Sequence, residues 1–264
     1  MNHGGKGANQ AVAARRLGAE VRLIGCVGDD ASGHAVRAAL IAEGVDTAGV
    51  MTTRVAATGT ALILVDREGR NQIAVAPGAN RALTVAHVRA RGDDFAWAEI
   101  VVASCEIPLD AVRAALELAR GRGVTTIVNP APVPDEGLDF LGLVDHLTPN
   151  AGEAIRLAGV SGEEPAAAVL RARGARSVLV TLGERGVLAC GDGPARHVPA
   201  FLVDAVDTTA AGDAFNGALA VALNEGREPL AAVRFACAAA ALACTRRGAQ
   251  ASLPTRAEVD RLGD

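Results

Sequence analysis

The chain has 264 residues, half of them apolar, which is enough to bury one large α/β core or two small ones; we expect one main core. A net charge of −4, without a cluster of Lys and Arg or an aromatic platform, argues against a nucleic-acid partner. Neither a run of about 18 apolar residues nor a charged-then-apolar leader is present, so we expect no membrane span and no secretory signal.

The first predicted elements are a glycine-rich turn at residues 4–7 and a helix from about 8 to 17. Such a turn brings backbone amides close to a phosphate or another polar ligand, and Lys6 and Asn9 add donors there. The spacing matches neither a Walker loop nor a GxGxxG fingerprint. Lys6 has the alternative of a solvated surface charge. A strand at 21–25 and a helix at about 32–43 are predicted next.

A predicted hairpin then interrupts the alternation of strands and helices. Residues 58–65 and 70–76 have the composition of two strands around the polar turn 66–69. A small sheet inserted into an α/β chain is typical of a lid over a site, here at about 52–78. A plain extension of the sheet edge is the alternative. A helix beginning at Thr84 follows.

The alternation resumes with apolar strands at 100–104, 124–128, 146–149 and 176–181 and helices at 109–120 and 165–173. Strands that are apolar throughout favour a parallel sheet covered on both faces. The predicted fold class is therefore a doubly wound, mostly parallel α/β sheet with a small β lid, forming a single domain over 1–264.

Polar residues follow several of these strands. Glu106 comes after the first, Asn129 after the second, and Asn150 with Glu153 after the third. The carboxyl ends of parallel strands are where such folds bind ligands. Alternatively, Glu106 and Asn129 are turn residues at the ends of strands. For Asn150 and Glu153 the alternative is a helix N-cap and its capping partner. After the last strand, the turn 181–186 is predicted to bring amides and Arg185 to a ligand, and a hairpin at 187–190 and 197–200 follows.

The stretch VDTTAAGDAFN, residues 206–216, combines small residues with a carboxylate at the start of an apolar helix. Ala210, Ala211 and Gly212 precede Asp213, and helices are predicted at 214–224 and 230–245. The free amides of a helix N-terminus hold anions. A carboxylate next to an anion site is unusual unless it has a function, such as taking the proton of an attacking hydroxyl, so Asp213 is the candidate general base. An ordinary N-cap is the alternative for Asp213.

The remaining reactive side chains show no ligand spacing. The five cysteines, at 26, 105, 190, 237 and 244, form no CxxC or Cys/His pattern, which favours buried reduced thiols and a cytoplasmic protein. The histidines at 3, 34, 87, 146 and 197 show no triad or metal spacing, so we expect surface or structural roles for them.

Two long segments resemble signatures of the ribokinase-like sugar kinases, the PfkB family. GGKGANQAVAARRLG at 4–18 is similar to the first signature, and DTTAAGDAFNGALAVAL at 207–223 to the second, which carries the catalytic aspartate. The shorter motifs also follow the family's order: ATGTALILV, PGAN, NPAP, TPN, VTLGERGV and TRRGAQASLP. The resemblance covers essentially the whole chain.

The resemblance implies ATP-dependent phosphorylation of D-ribose at its primary hydroxyl. Asp213 would deprotonate that hydroxyl, and the amides of Ala210, Ala211 and Gly212 would stabilise the transferring phosphoryl group. The sugar would be bound by Gly5, Lys6, Gly7, Ala8, Asn9, Glu106 and Asp213.

The resemblance also implies a nucleotide site, two cations and a dimer. ATP would contact Asn150, Thr181, Leu182, Gly183, Glu184, Arg185, Gly186, Gly212, Asp213 and Cys237, where Cys237 replaces the family's usual Asn or His. Glu153 would act on Mg²⁺ through water. A potassium site would be formed, mostly by backbone carbonyls, at Asp207, Thr209, Ala243, Arg246, Gly248 and Ser252. Lid strands that pair between subunits would make a homodimer.

One departure from the family concerns the N-terminus. Family members have a central strand, an Asn-x-Asp element and lid strands before the first signature, and here Met1 lies three residues before it. The resemblance therefore implies that this segment is missing and that its neighbours expose apolar surface. Two alternatives stay open: a kinase of the same family for deoxyribose, fructose or a nucleoside, and a non-catalytic remnant that binds nucleotide.

Overall fold

The computed structural model describes residues 3–65 and 71–263. The predicted turn 66–69, and the side chains of 62–65 and 71–73, lie outside the described residues. The architecture is α/β, with a mostly parallel central sheet and helices on both faces. This confirms the predicted fold class.

The helices and strands have the following bounds. The helices are α1 (Lys6–Arg16), α2 (Ala31–Ala42), α3 (Val85–Ala90), α4 (Gly92–Trp97), α5 (Leu109–Arg120), α6 (Ala151–Ala158), α7 (Glu163–Ala172), α8 (Ala211–Asn224), α9 (Pro229–Cys244) and α10 (Arg256–Gly263). The strands are β1 (Arg22–Gly28), β2 (Asp46–Thr53), β3 (Thr60–Val65), β4 (Asn71–Ala76), β5 (Ile100–Ser104), β6 (Thr125–Asn129), β7 (His146–Leu147), β8 (Ser177–Thr181), β9 (Val187–Cys190) and β10 (Arg196–Val198). Among the described residues, none of the helices is both long and apolar enough to cross a bilayer.

The central sheet has the strand order β10-β9-β8-β7-β6-β5. Strands β5 to β8 run parallel, and β9 and β10 add an antiparallel edge. Successive side chains of β6 enter different cores: Ile127 packs with residues of α8 and α9, and Val128 with residues of α5 to α7. The apolar strands are therefore buried on both faces, as their composition predicts.

A second, separate pair of parallel strands, β1 and β2, lies before the hairpin of β3 and β4. Strand β2 was not predicted from the sequence, and β1 extends three residues beyond its predicted end at Gly25. Residues 52 and 53 belong to β2, so they are not part of the inserted hairpin. The two-stranded sheet of the hairpin confirms the predicted strand pair.

The central sheet and the β1–β2 sheet both line a cavity of about 2970 Å³, and the candidate site lies in this cavity. Strands β1 and β5 both line it and are not paired with each other. Leu23 and Ile24 on β1, and Val101 and Val102 on β5, are only half-buried. Helix α1 packs against both strands, so α1 links the two sheets at this point.

Helices α1 and α8 cross at a glycine. A Cβ added to Gly217 would lie 2.6 Å from Cβ of Ala13 and 2.8 Å from the carbonyl oxygen of Gln10. No side chain fits in that space, so a glycine is required for the two helix backbones to come this close. The crossing brings the first turn of α8 against the first turns of α1.

We expect Gly217→Ala to destabilise the protein. Alanine gains about 1 kcal/mol of helix propensity over glycine, but overpacking a core typically costs about 1–3 kcal/mol. The added methyl group would contact Cβ of Ala13 and the backbone of α1, and these atoms cannot move unless the whole helix moves. The net result should be a free energy of unfolding lower by up to about 2 kcal/mol, measured by denaturant titration.

The matched control is Gly142→Ala, because nothing lies within 4 Å of a Cβ at that position. A Gly217→Ala protein as stable as Gly142→Ala would contradict the close helix crossing.

Candidate active site

The N-terminus of α1 is tied to the end of β5. The backbone amide of Lys6 donates to Oε2 of Glu106 at 2.8 Å. Gly5 caps the helix with φ of 102°, in the left-handed region that favours glycine, and a Cβ there would lie 3.9 Å from the same Glu106 oxygen. The glycine-rich turn and Glu106 therefore lie together, although the sequence separates them by a hundred residues.

Two successive amide side chains of α1 hold the carboxylate of Asp213. Nδ2 of Asn9 donates to Oδ2 at 2.8 Å, and Nε2 of Gln10 donates to Oδ1 at 3.1 Å. Asp213 is 5 % exposed. The sequence analysis did not single out Gln10, and the only signal that could have found it is its place beside Asn9 in the first signature.

The first turn of α8 presents free amides beside this carboxylate. Ala210 is the N-cap and has a left-handed backbone, with φ of 61°. The amide of Ala211 donates to the carbonyl of Thr208 at 3.2 Å, whereas the amides of Gly212 and Asp213 have no acceptor in the described part of the chain. Asp213 is thus not the N-cap, and its side chain bonds to α1 rather than to its own helix.

Burial dominates the electrostatics of the two acids in this site. Burial raises the pKa of Asp213, and the positive charge of Lys6 and the hydrogen bonds from Asn9 and Gln10 oppose that rise. Burial also raises the pKa of Glu106, against the amide and charge of Lys6. A carboxylate whose pKa lies above its ordinary value is a better proton acceptor near neutral pH.

One polar side-chain atom of Asn9 lacks a hydrogen-bond partner among the described residues. Its Nδ2 is used by Asp213, while its Oδ1 is buried and has no hydrogen-bond partner within the described residues. Asn9 also lines the cavity. Since a buried acceptor without a donor is unfavourable, this oxygen suits a hydroxyl group of a ligand.

Asn150 and Glu153 form a capping box at the start of α6. Oδ1 of Asn150 accepts from the amide of Glu153 at 2.9 Å, and Oε2 of Glu153 accepts from the amide of Asn150 at 2.8 Å. The capping alternative is therefore present in the structure. Both residues also line the cavity, and burial raises the pKa of Glu153 against the Asn150 amide and the charge of Lys6.

The turn after β8 reaches the cavity only in part. Thr181 and Gly183 line it, whereas the guanidinium of Arg185 pairs with Glu163 at 2.6 Å. Cys237 on α9 is 5 % exposed within the core, and burial raises the pKa of its thiol to about 12. The nucleotide contacts of Arg185 and Cys237 stay predictions.

Asp207 joins two loops that the sequence analysis assigns to a cation site. Its Oδ1 accepts from the amide of Thr209 and its Oδ2 from that of Gly248, both at 2.9 Å. Although partial burial works in the other direction, these hydrogen bonds hold the pKa of Asp207 below its ordinary value. The side chain of Arg246 turns away to Glu258. In the ranges that the structure describes, no group of three or more His, Cys, Asp or Glu side chains is arranged to hold a metal ion.

One cavity thus collects many of the predicted site residues and leaves others outside. Its lining includes Gly5, Lys6, Gly7, Ala8, Asn9, Glu106, Asn150, Glu153, Thr181, Gly183, Asp207, Thr209, Ala210, Gly212, Asp213 and Gly248. It does not include Leu182, Glu184, Arg185, Gly186, Ala211, Cys237, Ala243, Arg246 or Ser252.

Comparison with known proteins gives matches along nearly the whole chain. Residues 1–256 match the family of pfkB carbohydrate kinases. A ribokinase of Haemophilus influenzae is 42% identical over 261 residues, which cover 97% of this chain and 85% of that protein. A deoxyribokinase of Salmonella typhi is 34% identical over 258 residues, covering 96% and 84%. The structure of Arabidopsis thaliana ribokinase complexed with ribose and ATP has a TM-score of 0.89 at 31% identity, covering 98% and 87%.

We expect Asp213→Asn to make the ligand-free protein more stable at neutral pH. Burial raises the pKa of Asp213 in the folded protein above its unfolded value of about 4. Between these two pKa values the folded state binds more protons, so the free energy of unfolding falls as the pH rises. Because an asparagine side chain does not titrate, the variant should lose this part of the fall, and its free energy of unfolding at pH 7 should be higher than that of the unaltered protein.

The measurement is denaturant unfolding from pH 5 to pH 8 without ligands. Asp192→Asn is the control, because Asp192 is exposed and pairs only with Arg171. If Asp213→Asn and Asp192→Asn give parallel stability curves, the assigned origin of the pH dependence is wrong.

Proposed function

This chain belongs to the pfkB family of carbohydrate kinases, and we propose that it transfers the γ-phosphoryl group of ATP to O5 of D-ribose. The products are D-ribose 5-phosphate and ADP. The observation that carries the proposal is the buried carboxylate of Asp213 on the same helical turn as the free amides of α8. The 42% identity with a ribokinase supports ribose as the sugar.

Asp213 acts as the general base in this proposal. Its carboxylate takes the proton of the 5-hydroxyl while O5 bonds to the γ-phosphorus and the bond to the β-phosphate oxygen breaks. Burial raises the pKa of Asp213, which favours proton transfer, and the two donors from α1 fix the direction of its oxygens.

The amides of Gly212 and Asp213 stabilise the charge on the phosphoryl group as it passes to the sugar. These amides lie at the positive end of the α8 dipole, where anions are favoured. Gly212 is exposed and nothing lies within 4 Å of a Cβ built on it, so a phosphoryl group can approach. The amide of Ala211 contributes less than the sequence analysis expects, because Thr208 already accepts its hydrogen bond.

The sugar binds at the N-terminus of α1. Gly5, Lys6, Gly7, Ala8 and Asn9 lie at the cavity wall with Glu106 opposite them, tied to the helix through the Lys6 amide. The unpartnered Oδ1 of Asn9 accepts a hydrogen bond from a sugar hydroxyl. Glu106 keeps its second carboxylate oxygen for another hydroxyl.

The nucleotide lies towards the ends of β7 and β8. Asn150, Thr181 and Gly183 line this part of the cavity, and we assign the further contacts of the turn to Leu182, Glu184, Arg185 and Gly186. Cys237 is buried and does not line the cavity, so its contact with the adenine is the least supported of these assignments. The ATP named for the Arabidopsis complex, on the same fold, supports this assignment.

Magnesium and potassium accompany the nucleotide in this proposal. The free carboxylate oxygen of Glu153 lines the cavity and suits Mg²⁺ through water, where the ion neutralises phosphate charge. Asp207 joins the loops that contain Thr209 and Gly248. We assign the potassium site to oxygen atoms of these loops, of the end of α9 and of the segment after it: Asp207, Thr209, Ala243, Arg246, Gly248 and Ser252. Both sets consist of oxygen donors, which hard cations prefer.

We also propose a homodimer formed through the hairpin of β3 and β4, which acts as the lid. Val75 on this hairpin is 60 % exposed, which supports a contact with a second copy. The five free thiols, four of them buried, favour a reducing compartment such as the cytoplasm.

A second candidate is the phosphorylation of 2-deoxy-D-ribose, favoured by the 34% identity with a deoxyribokinase. We expect ribose to be preferred by about 10-fold or more in kcat/KM, because a site that bonds to a hydroxyl rejects an analogue without it. ADP release with D-ribose, 2-deoxy-D-ribose and D-fructose measures this preference. Equal or better turnover of either other sugar would remove the ribose assignment.

We expect Asp213→Asn to lower kcat for ribose-dependent ADP release by about 10²- to 10⁴-fold. The amide cannot take the proton, while the side chain keeps its size, so KM for ribose should change little. Asp192→Asn is the control for activity, because Asp192 is an exposed carboxylate that does not line the cavity.

Full activity of Asp213→Asn would contradict the role of Asp213. Failure of the unaltered chain to turn over any sugar, with ATP still bound, would favour the nucleotide-binding remnant.

A further inference from the structure

Gln10 is a buried amide that donates hydrogen bonds to the candidate base and to the end of a central strand. It is 4 % exposed, and its Nε2 has two acceptors: Oδ1 of Asp213 at 3.1 Å and Oδ1 of Asn129 at 3.5 Å. Asn129 ends strand β6, and Gln10 lies on α1. The amide therefore bridges the catalytic helix and the central sheet.

The orientation of the Gln10 amide is forced by its neighbours. A carboxylate can only accept hydrogen bonds. Asn129 uses its Nδ2 to donate to the carbonyl of Thr148 at 3.1 Å, so its Oδ1 is the atom that faces Gln10. With acceptors on both sides, only the NH₂ group of Gln10 fits between them.

The hydrogen-bond chain continues to the backbone of the same helical turn. Oγ1 of Thr148 donates to Oδ1 of Asn216 at 2.7 Å, and Nδ2 of Asn216 donates to the carbonyl of Gly212 at 2.8 Å. That carbonyl belongs to the peptide group whose amide is the free N–H of Asp213. Thr148 and Asn216 are each 1 % exposed, so the side chains that form this part of the chain are buried.

We propose that Gln10 is a positioning residue: held by Asn129, its amide fixes the direction of the Asp213 carboxylate relative to the anion site. The kinetic part of this proposal rests on the proposed function.

Gln10 also affects the charge of Asp213. Two charged groups face Asp213. Lys6 on α1 favours its ionised form, whereas the negative charges of Asp213 and of Glu106, after β5, disfavour each other. The hydrogen bond from Gln10 favours the ionised form as well. Without this donor the pKa of Asp213 should rise further, and its proton should come off at a higher pH.

The test is Gln10→Met, which keeps the length of the side chain and removes the donor. We expect kcat for ribose phosphorylation to fall by about 10²-fold, since small misplacements of a reacting group have effects of that size. KM for ribose should change by less than about threefold. The acidic limb of the pH profile of kcat/KM should move to higher pH.

A second variant, Gln10→Glu, keeps the shape of the side chain if Met disturbs packing. Its carboxyl group next to Asp213 should move the acidic limb in the same direction and further. The control is Thr126→Val. Thr126 lies on β6, like Asn129, and is 1 % exposed, but it bonds to Asp145 and Leu143 rather than to residues of the site. Thr126→Val should lower stability and leave the pH profile unchanged.

A readout that needs no substrate separates this proposal from the proposed function. In unfolding experiments from pH 5 to pH 8, Gln10→Met should extend the fall in stability to higher pH, and this effect should vanish in the Asp213→Asn background. If the unaltered protein does not phosphorylate ribose, the function fails while this readout still tests Gln10. A Gln10→Met protein with the pH dependence of Thr126→Val would overturn the positioning role.

Discussion

The close crossing of α1 and α8 is the contact on which the site depends. At Gly217 the two helices approach so closely that no Cβ fits, and this places Asn9 and Gln10 within hydrogen-bond distance of Asp213. A wider spacing of the helices would leave a buried carboxylate without donors, which is far more unfavourable than the loss of one packing contact. Helix packing and the protonation of the base are therefore set by the same contact.

The site combines three kinds of polar groups that the fold brings to one cavity. Helix N-termini supply free amides, strand ends supply Glu106 and Asn129, and α1 supplies the amides that hold the base. Burial raises the pKa of both Asp213 and Glu106, and Lys6 limits that rise for each. Of these two acids, Asp213 lies on the turn of α8 that has the free amides, and Glu106 lies after β5.

Elements with strong local signals could be predicted from the sequence, and those that depend on distant contacts could not. Strand β5 and helix α5 have the predicted bounds, because an apolar run and a Pro–Gly-bounded amphipathic stretch decide them locally. Strand β2 contains Asp and Gly, which are depleted in strands, and lacks a continuous apolar run, so its pairing with β1 decides its structure. The role of Gln10 rests on a contact with a residue 203 positions away, which no local pattern reports.

The carboxylate of Asp213 and the free amides of Gly212 and Asp213 share one turn of α8, whereas the hairpin of β3 and β4 forms a sheet of its own. The spacing between the proposed base and the proposed phosphoryl site is thus set within one helical turn. The hydrogen bonds that hold Asp213 come from α1, and the hairpin contributes none of them. Substitutions in the hairpin can therefore accumulate, in evolution or in the laboratory, while the contacts that orient Asp213 stay unaltered.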